Sequence, residues 1–176
     1  MILKLKQTPG IYLVGFMAAG KTTIGRLLAD RLGWHFVDLD DDIEAAEGTT
    51  IARIFETRGE EEFRRAEHAA MRARIKAIEC GRPTVVALGG GAFVQPENYA
   101  LLENNGITVW LDCPFEMVCR RVEQSSHRPL ARDPEQFEHL YQSRQEAYSR
   151  ADYRIAIDSD DPAAAVDAVM RLPLFK

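Results

Sequence analysis

The sequence predicts an α/β protein in which a parallel sheet carries helices on both faces. Three observations lead there. Apolar runs of strand length alternate with stretches of helical period along the chain. The candidate strands are almost continuously apolar, as strands covered on both faces are. A glycine-rich turn, from Gly15 to Thr22, separates the first strand from the first helix. With 176 residues, the length favours one domain over 1–176.

The elements follow in order. Residues 1–8 read as a short extension, and 11–14 (Ile-Tyr-Leu-Val) as a buried strand. Residues 22–32 place Ile24, Leu27, Leu28 and Leu32 at helical spacing. A short strand is expected at 35–37 and a helix over 41–47. One or two long amphipathic helices fill 50–78, with Ile51, Ile54, Phe55, Phe63, Ala66, Ala70, Met71 and Ile75 on the buried side. Residues 84–88 form a strongly apolar strand that Gly89-Gly90-Gly91 breaks. A helix with proline in its first turn covers 96–105. A strand at 107–111 and a helix at 114–122 follow. Residues 123–134 are polar, hold two prolines and show no apolar period. A helix at 135–150, a strand at 153–157 and a closing helix at 162–172 complete the chain.

Gly15-Phe-Met-Ala-Ala-Gly20-Lys21-Thr22 fits G-x-x-x-x-G-K-[ST], a loop that cradles nucleotide phosphates with backbone N–H groups. The helix after it adds its positive dipole end. Lys21 can reach the β/γ-phosphates, and the Thr22 hydroxyl can sit on Mg²⁺. Strand, loop and helix are the setting this motif requires. The fold expected is therefore the three-layer α/β/α of P-loop NTPases, with five parallel strands arranged as in nucleoside-monophosphate kinases. Ligands in such sheets bind at the carboxyl ends of the strands. The phosphate loop, Asp38 and Asp40, and Gly89–Gly91 all fall at strand ends.

Composition narrows the function. The chain is 46% apolar with a net charge of −5, so it shows no basic footprint for nucleic acid. Cys80, Cys113 and Cys119 lack C-x-x-C spacing, which suggests a reducing compartment and buried small side chains. No apolar run approaches the ~18 residues of a membrane span, and no leader pattern opens the chain. The expected location is the cytoplasm.

Acids cluster after the second strand: Asp38, Asp40, Asp41, Asp42 and Glu44. In extended geometry Asp38 and Asp40 point the same way, which suits one to support a Mg²⁺ shell and the other to accept from a substrate hydroxyl, with helix capping and solvation as the alternative. Asp41 and Asp42 suit a helix start and solvent.

Several motifs then occur in order. Gly15 to Arg26 reads G-F-M-x-x-G-K-[ST]-T-x-G-R, Phe36 to Glu44 F-x-D-x-D-x-x-I-E, and Ile54 to Arg64 I-F-x-x-x-G-E-x-x-F-R. Gly89 to Ala92 follows as G-G-G-A, then Arg128 to Leu130 as R-P-L, and Arg144 to Tyr148 as R-x-x-x-Y. The series resembles the shikimate kinase family over nearly the whole chain.

The resemblance implies transfer of the ATP γ-phosphoryl group to the 3-hydroxyl of shikimate, with Mg²⁺ as cofactor, in a monomeric enzyme. It implies that Arg64 and Arg144 hold the substrate carboxylate, with Gly89, Gly90 and Gly91 against the substrate. Asp40 takes the hydroxyl. Asp38 joins Thr22 at the metal. ATP falls to Gly15, Ala18, Ala19, Gly20, Lys21, Thr22, Thr23, Arg121 (on the adenine) and Arg128 (on the phosphates). Lys21, Asp40 and Arg128 are the implied catalytic set. Residues 38–67 become the substrate-binding region and 123–134 a lid.

Two departures stand out. Ala18 occupies a position where the family commonly has glycine, and a negative φ there would accommodate the methyl. Ala131 stands where a second leucine is common. Kinases for gluconate or nucleoside monophosphates share the phosphate loop but not the Asp38/Asp40, Arg64 and triple-glycine set. A non-catalytic ATP-binding module would be expected to lack Lys21, Asp40 or the paired arginines.

Overall fold

The computed structural model describes residues 10–125 and 133–175. The extension at 1–8 and most of the expected lid, including Arg128 and Ala131, lie outside the described residues. Five strands form the sheet: β1 (Gly10–Val14), β2 (His35–Asp38), β3 (Thr84–Ala87), β4 (Ile107–Asp112) and β5 (Tyr153–Ala156). Their order is β2-β3-β1-β4-β5, and every pairing is parallel.

Burial explains the sequence pattern. All of β1 and β3 are buried, as central parallel strands require. Edge strand β2 exposes His35. Helices α1 (Lys21–Leu32), α2 (Leu39–Glu47), α3 (Ile51–Glu79), α4 (Pro96–Asn104), α5 (Phe115–Glu123), α6 (Pro134–Tyr148) and α7 (Pro162–Met170) connect the strands and cover the faces. A short 3₁₀ turn, Pro173–Phe175, follows α7.

Local chemistry sets several boundaries. Asp38 ends β2 and caps α2, accepting the Asp40 N–H at 3.0 Å. Asp40 therefore lies in the first helical turn, so the two acids are not alternate residues of one extended segment. Asp133 caps α6 through the Glu135 and Gln136 amides. The long amphipathic stretch is two helical segments that meet at Gly59, whose φ of 84° and ψ of 176° suit glycine alone. The kink turns the aromatic stripe. Phe55 stacks on Phe63 with centroids 4.6 Å apart and stays 41% exposed, contrary to the expected burial. Leu27 is also half-exposed. Asp42 makes a bidentate pair with Arg74, both contacts 2.7 Å, beyond its favourable place at the helix start. Of the cysteines, Cys113 is buried, while Cys80 is exposed.

The topology points to one edge of the sheet. From β1 the chain leaves toward β2, and from β4 toward β5, so these neighbours diverge at their carboxyl ends. A crevice opens there.

Candidate active site

That crevice is a cavity of about 790 Å³. Ala18, Gly20, Lys21, Thr22, Thr23, Asp38, Asp40, Gly89, Gly90 and Arg121 all line it. The loop from Gly15 to Gly20 turns between β1 and α1. Inside it, the Ala19 N–H bonds to the Phe16 carbonyl at 3.2 Å, and Ala19 is fully buried. Ala19 thus closes the loop and is not presented to the cavity. Ala18 has φ of 60°, so the loop forms with its alanine in the left-handed region rather than at negative φ.

Lys21 folds over the loop, its ammonium donating to the Gly15 and Phe16 carbonyls at 2.8 Å each. Its charge also acts on Asp40. Thr22 Oγ1 donates to Asp38 Oδ2 at 2.8 Å. A hydroxyl and a carboxylate oxygen therefore sit side by side on the cavity wall. Such hard oxygens suit Mg²⁺, which takes one or two protein oxygens and completes its shell with phosphate and water. Among the described residues there is no group of three or more acidic, His or Cys side chains that would hold a metal unaided.

Asp40 is strongly perturbed. Burial, then the neighbouring charges of Asp38 and Glu67, push its carboxyl up to about 6, while Lys21 opposes the shift. A carboxylate balanced near neutrality is suited to exchanging a proton with a hydroxyl.

Two guanidiniums approach the glycine turn. A Cβ on Gly91 would fall 2.6 Å from Arg64 Nη2, and one on Gly90 3.2 Å from Arg144 Nη1. A side chain at either position would make these guanidinium groups shift from their present places. Arg64 is held by Glu67 at 2.8 Å, and its buried Nε–H has no acceptor among the described residues. Arg144 lies over the Phe16 ring at 5.6 Å. Among the described residues it has no carboxylate within ion-pair distance.

Glu67 is the site residue the sequence reading missed. It is 1% exposed, and burial raises its pKa, with Arg64 partly compensating. The available signal was a glutamate four residues after buried Phe63, on the apolar face of α3, one turn from Arg64. On the nucleotide side, Arg121 donates to Ala18 O at 2.9 Å and pairs with Asp160 at 3.1 Å. Arg120 meets the same carboxylate, but from the surface.

A phosphate loop at the carboxyl edge of a parallel sheet, facing a pocket lined by Asp38, Asp40 and Arg121 with Arg64 and Arg144 beside its glycine turn, defines a P-loop kinase for a small anionic molecule. The family model for shikimate kinase matches residues 17–172, and the chain belongs to the shikimate kinase family. A shikimate kinase of Persephonella marina is 38% identical over 161 residues, covering 91% of this chain and 96% of that protein. The structure of shikimate kinase from Acinetobacter baumannii in complex with shikimate superposes with a TM-score of 0.86 at 35% identity, covering 96% of this chain and 94% of that one. Shikimate kinase from Aquifex aeolicus superposes at 0.80 with 33% identity, covering 92% and 94%. The five-stranded fold and the kinase class expected from the sequence are thereby borne out.

Proposed function

We propose that this chain transfers the γ-phosphoryl group of ATP to the 3-hydroxyl of shikimate, giving shikimate 3-phosphate and ADP on the route to aromatic amino acids. The observation that carries the reading is the pairing of Arg64 and Arg144 against Gly91 and Gly90 beside the phosphate loop. Two converging guanidinium forks fit a carboxylate. The orphaned Nε–H of Arg64 is a donor that a bound carboxylate would satisfy.

The residues divide the work. Arg64 and Arg144 hold the carboxylate end of the ring, so that one hydroxyl faces the cavity floor. Asp40 orients that hydroxyl and accepts its proton as the phosphoryl group moves. The amides of Ala18 and of residues 20–23 cradle the phosphates, and Lys21 turns from its loop carbonyls to the β/γ-oxygens. Arg121 supports the adenine. Thr22 and Asp38 would hold Mg²⁺, which would neutralise phosphate charge there. Phosphoryl transfer of this kind asks mainly for alignment and charge neutralisation. Arg128, outside the described residues, is assigned to the phosphates by resemblance alone.

We take the unit to be a single domain over 1–176, a monomer of the cytoplasm. The three free cysteines are compatible with a reducing compartment. Among the described residues no helix is long and apolar enough to cross a membrane.

ADP release from Mg-ATP, measured with shikimate, quinate and gluconate in parallel, tests the function. Saturable release with shikimate alone is expected. ATP binding without release for any of the three would overturn it.

A further inference from the structure

Tyr148 closes α6 and is completely buried, with its ring beside Trp110 at 6.1 Å. Packing alone would be served as well by phenylalanine. The hydroxyl, however, donates to the Gly90 carbonyl at 2.5 Å. Arg144, one turn earlier on α6, brings Nη1 to 3.2 Å from where a Cβ on Gly90 would lie, so both side chains meet at that glycine. The phenol thus gives its proton to the glycine turn against which Arg144 lies. Gly90 in turn sits against the phosphate loop: a Cβ there would lie 3.5 Å from the Met17 amide and 3.7 Å from the Gly15 carbonyl.

We propose that Tyr148 is a positioning residue whose hydroxyl fixes the Gly90 peptide, against which Arg144 lies, and so sets the substrate carboxylate relative to the phosphate loop. The inference rests on the reading of Arg144 as a carboxylate ligand. Tyr148 touches neither substrate nor ATP, so its effect passes through Arg144 and Gly90. A Gly90 peptide released from the hydroxyl lets the surface beneath Arg144 shift, and misplacements of about 1 Å are costly.

The test compares Tyr148→Phe, Arg144→Ala and the double variant. Tyr148→Phe keeps the ring and its packing, and an unchanged ATP Kd verifies the fold. Its shikimate KM should rise about tenfold, while ATP KM stays within about twofold. In the Arg144→Ala background the same change should add little, because the group it positions is gone. A shikimate KM unchanged in Tyr148→Phe, with Arg144→Ala strongly raised, would overturn the positioning role. Equal multiplicative effects in both backgrounds would do so as well. An Arg144→Ala variant with normal shikimate KM would instead remove the carboxylate clamp itself.

Discussion

Nη1 of Arg121 donates to the carbonyl oxygen of Ala18 across 2.9 Å, and Ala18 is held at φ 60°. Arg121 is itself tethered to Asp160 through Nε and Nη2. The nucleotide side of the site therefore braces its phosphate loop in a conformation that an alanine resists. A left-handed L-residue costs roughly 1–2 kcal/mol. Glycine would lose up to about 1 kcal/mol of that gain through its freer unfolded chain.

Ala18→Gly should accordingly raise Tm by about 1–3 °C. Differential scanning calorimetry of the ligand-free protein reads it. A fall in Tm would mean that the loop is not strained at Ala18.

Removing Arg64 leaves Glu67 buried and unpaired. Arg64→Ala should cost about 3 kcal/mol of stability and raise the shikimate KM. Adding Glu67→Gln should restore much of the stability and none of the affinity. Denaturant midpoints alongside steady-state kinetics separate the two effects. If the second substitution rescued KM, Arg64 would not be a substrate ligand.

Lys21→Met should act on rate. With the ammonium gone, kcat should drop by roughly 10²-fold or more while shikimate KM moves little. A change confined to KM would place Lys21 in ground-state binding alone.

Asp40 links pH to stability. Its folded pKa of about 6 exceeds the ordinary 3.8, so the fold favours the protonated acid. The stability this lends is full below 3.8 and is lost as pH climbs through 6. Asparagine never ionises. Asp40→Asn should therefore be more stable than the parent at pH 7.5, by about 2 kcal/mol, and lose most of that advantage at pH 4.5. Urea denaturation in the presence of a metal chelator compares them. An advantage of the same size at both pH values would contradict the buried-acid account.

The fold was readable because burial on both faces writes itself into β1, β3 and β4 as apolar runs. The phosphate loop was readable because its backbone geometry demands glycine and lysine at fixed spacing. What sequence hid depended on tertiary contacts. Asp38 and Asp40 look like alternate residues of a strand until α2 begins between them. Phe55 matches the helical period of its neighbours until Gly59 turns the helix. Glu67 resembles the surface glutamates Glu60, Glu61 and Glu62 in composition, and its place four residues after Phe63, on the apolar face, is the one sign of burial that the packing of α3 makes plain. Tyr148 appears in a motif with no visible role until its hydroxyl is seen on Gly90.

In the proposed reaction Arg64 and Arg144 fix the carboxylate so that a single hydroxyl meets Asp40 and the γ-phosphate. Phosphorus–proton correlation NMR of the product formed from shikimate and Mg-ATP tests it most directly. The account predicts one product, with phosphorus coupled to the proton at carbon 3. A mixture of ring positions, or free phosphate in place of a phosphorylated ring, would contradict it.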